Sequence, residues 1–445
     1  MPLCVRVPVC CMDFLTPPTG RVDGCMNDDM GFRFLVYSRI FRSVALIFMT
    51  LSTPLYLALL GVSIVHIGLV YVGVMAFTAI LSVSLGMLGD RIGYKKSLLI
   101  GELPPLLGAL ILSLTGNISM VVIAVILAGI SGLAGGLRGA FSPGMTALVA
   151  SNYRDKQLRI RKLGALIISA SLASVFGAIL LLSQSYLLAY VGAEEAFRIL
   201  FGIAALLLLA SFSSILFVWE GERPRKSTRI MKSESFRHVL RISSLNIING
   251  AGLGMAMPLL PLMFAITFHL PSETTALYVG IIYIPSYITT ALGSYLSNRR
   301  SSIYAARTAS YVRITSGLLL GLLAAVLAAQ YYLELPDALP LLSLAAVVFA
   351  SRAFIAGFGS SSVSAMSVMN IHGEDYGTAT SMQGLFGNIS QTSSGLSGYL
   401  MDLALPAPLV AGAILQILNG VMYGRLFTRE GSVRQAQDKE DKHTV

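Results

Sequence analysis

Apolar runs of roughly 20 residues, each long enough to cross a bilayer as a helix, recur along this chain from about Phe41 to Phe427. A backbone in hydrocarbon must satisfy its own N–H and C=O groups, so helices are the expected form. About twelve runs can be counted. Six cover residues 41–61, 67–88, 97–116, 122–148, 162–183 and 197–218; six more cover 243–266, 277–297, 312–330, 340–368, 378–401 and 406–427. Of 445 residues, 55% are hydrophobic and 12% charged, with a mean hydropathy of +0.74. Soluble domains carry about twice that charged fraction, so a soluble class is excluded. The expected fold is an all-α integral membrane protein with about twelve transmembrane helices.

The basic residues test this count, because cytoplasmic loops hold the Lys and Arg. With the N-terminus inside, the 32 bases sort onto one side except Arg138, Arg198 and Arg352. Arg33, Arg39 and Arg42 precede the first helix; Arg91, Lys95 and Lys96 follow the second; Arg299, Arg300, Arg307 and Arg313 follow the eighth. The opposite connections hold Glu194, Glu195, Glu273, Glu334, Asp337 and Asp402, with Arg198 as their one base. Both termini are therefore expected in the cytoplasm of a multi-pass protein of the cell membrane. The net charge of +10 is a topology signal, and a nucleic-acid partner is not implied. Cys4, Cys10, Cys11 and Cys25 all lie near the N-terminus without a CxxC pair, so no metal site is expected. That segment reads as an unstructured extension, or as residues ahead of a start at Met26 or Met30.

The longest polar stretch between helices, Glu220 to Arg241, divides the spans six and six. The expected organisation is an N-terminal tail (1–40), a six-helix bundle (41–218), a linker (219–242), a second six-helix bundle (243–427) and a C-terminal tail (428–445). The two bundles repeat. YVGVMAFTAILSVSLG from Tyr71 aligns with YVGIIYIPSYITTALG from Tyr278 at an offset of 207, and the same offset sets Pro54 on Pro261. Paired helical repeats are a transporter architecture, since two similar halves rock about a midplane site and expose it alternately.

At the end of the second span the chain reads GMLGDRIGYKK, Gly86 to Lys96. Gly86 permits close helix approach, and Gly93 permits a sharp turn between two spans. Asp90 sits at a helix C-terminus, where the dipole disfavours a carboxylate unless bases such as Arg91 and Lys95 compensate it. A carboxylate held in one conformer and released in another is a gate latch. This segment resembles the loop signature of the major facilitator superfamily, G-x-x-x-D-R-x-G-R-[RK]. Gly86, Asp90, Arg91, Gly93 and Lys95 match it, and Tyr94 replaces the first base of the final pair. The resemblance implies two pseudo-symmetric six-helix bundles moving solute by alternating access. The drug:proton antiporter signature on the fifth helix is missing.

With loops and tails removed, Glu102, Arg138 and Arg352 are the charges left at membrane depth. Such groups are functional-site candidates by default. Two guanidiniums without matching carboxylates suggest an anionic solute, since Arg grips carboxylate or phosphate bidentately. The resemblance implies that the fourth and tenth helices, which carry Arg138 and Arg352, contribute to the central cavity. The competing reading is structural, with Arg138 approaching Glu102 from the adjacent helix. Glu102 is also the one acid able to serve proton coupling. Asn246 and Asn249 share a face of the seventh span; Gly384, Asn388, Gln391, Gly395 and Gly398 share one on the eleventh. These are solute-binding candidates or close-packed interfaces.

The functional expectation is secondary active or facilitative transport of a small solute, possible anions included, by a monomer in the lipid bilayer, with a coupling proton or counter-anion left open. No cofactor and no enzymatic activity are expected: the chain has no phosphate-binding P-loop, HExxH pair or intramembrane acid pair. The alternatives are a membrane-embedded enzyme acting on lipid and a non-transporting sensor built on a transporter fold.

Overall fold

The computed structural model describes residues 25–130, 142–153, 156–221, 233–270, 272–299, 305–333, 338–368 and 376–443. These are helical almost throughout, with no strand among them. The first half comprises α1 (Cys25–Leu59), α2 (Ile64–Ile92), α3 (Tyr94–Leu114), α4 (Ile118–Ala128), α5 (Ser142–Asn152), α6 (Lys156–Val191) and α7 (Ala193–Leu216). The second half comprises α8 (Ser233–Ala256), α9 (Leu260–Thr267), α10 (Ser272–Arg299), α11 (Ala305–Leu333) and α12 (Ala338–Val368). It closes with α13 (Tyr376–Ser390), a 3-10 turn (Gln391–Ser393), α14 (Ser394–Leu403) and α15 (Ala407–His443).

Among the described residues, ten stretches are long and apolar enough to cross a membrane. The fourth and eleventh expected spans are not among these ten, and a described helix ends or tightens within each. α4 ends at Gly129, whose φ of 61° is the left-handed C-cap that glycine adopts freely. The eleventh span tightens into its 3-10 turn where Gln391 Nε2 and Thr392 Oγ1 donate to the carbonyls of Gly387 and Ile389. The seventh breaks between Ala256 and Leu260, around Pro258 and Pro261, which supply no backbone N–H.

Two expectations need correction. The first helix starts at Cys25 rather than 41, so Arg39 and Arg42 lie inside it and are buried, 5% and 4% exposed. A hydropathy window stops at charge, whereas a helix continues wherever the charges find partners inside the bundle. At the other end α15 continues to His443, past the expected end of the last span at 427.

The halves pack alike. α1 lies between α6 and α7, and α3 lies against α7; in the second half α8 lies between α13 and α15, and α11 lies against α15. Polar contacts repeat with them. Ser38 Oγ meets Ser211 Oγ at 3.0 Å between α1 and α7, and Asn419 Nδ2 donates to Leu245 O at 2.6 Å between α15 and α8. Leu245 follows Ser38 by 207 positions and Asn419 follows Ser211 by 208, so the internal repeat is spatial. Two seams join the halves, α6 against α10 and α2 against α13 and α14.

Depth is read from two ends: a near end bearing the Gly93 turn, and a far end bearing the turns at Gly61, Gly116 and Gly192. One apolar core runs through both halves in the far part of the bundle, from Phe48 and Tyr71 to Phe264, Tyr287 and Phe349. The near-end clusters are separate, one of first-half residues around Leu35, Leu98 and Leu166, and one of Val239 and Ala379. Large apolar side chains such as Ile199, Leu206 and Leu209 of α7 face outward, as lipid-facing residues do. Exposed aromatics ring both ends: Tyr186, Tyr190, Tyr332 and Tyr399 at the far end, and Tyr37, Phe217, Trp219 and Tyr311 at the near end.

Candidate solute site and gating turn

The GMLGDRIGYKK segment forms the α2–α3 turn. Gly86 is buried in α2, and Arg91 is exposed in its last turn. Gly93, at φ 123°, ends one helix and begins the next in a conformation side chains resist. Tyr94, which replaces a base of the family signature, donates its phenol O–H to Asp90 Oδ1 at 2.8 Å. A neutral donor therefore serves the Asp90 carboxylate here. Glu220, beyond α7, accepts from the backbone N–H groups of Tyr94 at 2.8 Å and Lys95 at 3.2 Å. Lys95 Nζ donates in return to Leu216 O at 2.7 Å, at the C-terminal end of α7. Both charges suit the helix ends they meet. Asn152 continues the clasp, donating to Trp219 O and accepting from Gly221 N, both at 3.1 Å. Sequence reasoning missed Glu220 because its partners are backbone groups about 125 residues away.

Glu102 is the ninth residue of α3 and has no exposed surface. Arg42 of α1 forms its ion pair, and Ser211 of α7 donates a hydrogen bond to its other oxygen. The partner expected from sequence, Arg138, lies outside the described residues. Arg42 and Ser211 were not singled out from sequence, although a signal existed. At the offset of 207, Arg39 and Arg42 fall on Asn246 and Asn249, so both halves carry polar residues at matching places on their first helix.

Arg352 lies near the middle of α12 and is 7% exposed. It is close enough to Tyr283 of α10 to act on it electrostatically, and Tyr71 of α2 acts on the same phenol. Tyr283 stacks edge-on against Phe349 at 4.8 Å, one turn from Arg352, and lies 6.0 Å from Tyr287. The other described candidates lie on α8 and in the eleventh span. Asn246 and Asn249 are half-buried on α8. Asn388 is buried, and so is Gln391, whose backbone would meet a Cβ added at Gly254. Gly395 and Gly398 of the same stripe pack on α2. Among the described residues no group of His, Cys, Asp and Glu is able to hold a metal ion.

The sequence profile of the Major Facilitator Superfamily matches residues 35–394. The chain belongs to the Major Facilitator Superfamily. Membership makes it a multi-pass membrane protein that transports small solutes, a function distinct from catalysis. No curated protein matches it in sequence at a significant level. Two solved facilitator structures share its fold, both with a TM-score of 0.59. The human organic anion transporter MFSD10 (TETRAN) is 15% identical, with 88% of this chain and 99% of that one covered. A variant of the E. coli fucose:proton symporter FucP is 14% identical, with 88% and 97% covered.

Proposed function

We propose that this facilitator-superfamily protein is a monomeric transporter of a small anionic solute in the cell membrane, with both termini in the cytoplasm. The burial of Arg352 at the middle of a membrane-spanning helix, within reach of Tyr283 and one turn from Phe349, carries the reading. A guanidinium kept there in a low-dielectric setting is a carboxylate or phosphate receptor. Arg138 is a second candidate contact. Asn246, Asn249, Asn388 and Gln391 are candidates for the polar part of the solute.

The bundles 41–218 and 243–427 would rock about the α6–α10 and α2–α13/α14 seams, with residues 219–242 as linker. The turn at Gly86, Asp90, Arg91, Gly93 and Lys95 acts as a gate on the cytoplasmic side. Glu102 is the coupling candidate for a proton, and its pairing with Arg42 means that coupling through it requires that pair to open. A counter-anion serves in its place if exchange is the mode.

Counterflow in proteoliposomes, with organic anions in one arm and neutral sugars in the other, tests the reading. Anion counterflow is expected, weakened at least roughly tenfold in affinity by Arg352→Gln, the loss of a charge-assisted bond. Unchanged affinity and selectivity in that variant sinks the anion reading. Sugar counterflow alone sinks it too.

A further inference from the structure

At the level of Arg352 and beyond it toward the far end, the bundle buries phenols that packing does not account for. Tyr71 of α2 and Tyr287 of α10 are 0% and 1% exposed, and neither hydroxyl has a hydrogen-bond partner. Phenylalanine would fill the same space without stranding a hydroxyl, since a buried polar group left unpaired is unfavourable. Tyr283, 4% exposed, stands between them and within electrostatic reach of both Tyr71 and Arg352.

Depth along the helices orders the group. At 1.5 Å per residue, Tyr287 and Arg352 lie about 22 Å and about 21 Å from the far ends of α10 and α12. Tyr283 and Phe349 lie at about 16 Å on the same helices, and Tyr71 at about 10 Å along α2. The phenols therefore climb from the level of Arg352 toward the far end, where the halves share one apolar core.

Taking Arg352 as the anion receptor proposed above, we infer that Tyr71, Tyr283 and Tyr287 form the far wall of the solute site and donate their O–H groups to a carboxylate-bearing solute. The chemistry favours a monocarboxylate. A carboxylate needs donors alone, which a guanidinium and phenols supply, whereas a polyol also demands acceptors for its own hydroxyls. One guanidinium is neutralised by one carboxylate, while a phosphate dianion would leave net charge in an apolar surround. The ring faces of Tyr283 and Phe349 suit an apolar carbon skeleton. The wall joins α2 of one half to α10 and α12 of the other, so a bound carboxylate would favour the closed far end.

The test titrates the full-length purified protein with benzoate, butyrate, mannitol and inorganic phosphate, and compares native with Tyr71→Phe, Tyr287→Phe and Arg352→Gln. Each Tyr→Phe change is expected to weaken benzoate and butyrate binding roughly tenfold, while the ligand-free melting temperature stays the same or rises. Native-like carboxylate binding by both Tyr→Phe variants overturns the inference; if Arg352→Gln still abolishes binding, the anion receptor stands without the phenolic wall. A lower ligand-free melting temperature in the Tyr→Phe variants overturns it as well, because the hydroxyls would then be paired in the resting protein. Preference for mannitol or phosphate over the carboxylates overturns the proposed solute class.

Discussion

Arg198 and Arg42 are two arginines of one chain held in opposite dielectric settings. Arg198, the one base on the acidic side, bonds Glu195 at 2.6 Å and the carbonyl of Leu114 at 3.0 Å, so it serves a helix C-terminus at the aqueous boundary. Exposed pairs of this kind contribute little. The Arg42–Glu102 pair is buried, and its worth lies in neither charge being left alone. Removing one partner, as in Arg42→Met or Glu102→Gln, is expected to cost about 3–5 kcal/mol of stability, because either change takes the opposite charge away from a buried ionised group. The double variant Arg42→Met/Glu102→Leu should recover much of the loss. Thermal unfolding in detergent checks this, and simple additivity of the single effects would show that the two charges are not coupled. Glu102 was legible in the sequence as an acid at membrane depth. Its partner was not, because Arg42 adjoins other bases and reads as part of a cytoplasmic cluster.

Single helices were legible where composition dominates and illegible where ends and breaks are decided by contacts. The long apolar spans follow the hydropathy of the chain, but α1 starts well before its apolar window. The break between α8 and α9 sits on two prolines and had a local cause; the 3-10 turn in the eleventh span depends on Gln391 and Thr392 bonding their own backbone. The start of α3 shows what an end contact does. Glu220 occupies two of the orphan N–H groups there, so Glu220→Ala should cost about 1 kcal/mol and speed hydrogen exchange at the Tyr94 and Lys95 amides. Tyr94→Phe, which strips a hydrogen bond from Asp90 but leaves the cap, should leave those two amides near native. Equal exchange in native protein and Glu220→Ala would remove Glu220 from the clasp.

Toward the far end, described helices of the two halves approach closely at glycines. A Cβ added at Gly398 of α14 would lie 2.8 Å from Ile64 O and 3.3 Å from Gly68 Cα of α2. On the other seam, a Cβ at Gly280 of α10 would lie 2.7 Å from the Leu182 side chain and 3.0 Å from Ala178 O of α6. Gly398→Val and Gly280→Val should therefore wedge the halves apart. A cysteine replacing buried Ser394 should then label severalfold faster with a membrane-impermeant maleimide applied from the far side. Gly387→Ala, where an added Cβ meets nothing within 4 Å, should leave labelling as it was. Equal labelling in all three would mean that glycine contacts do not set the closure.

Hydrophobicity, the side preference of lysine and arginine, the repeated register and the Gly86–Lys96 turn are local or periodic properties, and they determined the membrane class, the all-helical fold and the family. Bilayer insertion acts on each span separately, so a linear reading reaches that far. Pairing across the bundle is a property of helix rotation and depth. Only the tertiary structure decided that Arg42 of α1 holds Glu102, that Glu220 caps α3, and that Tyr71, Tyr283 and Tyr287 line up from the level of Arg352 toward the far end. Those contacts join residues tens to hundreds of positions apart, and a few degrees of helix rotation would have chosen others.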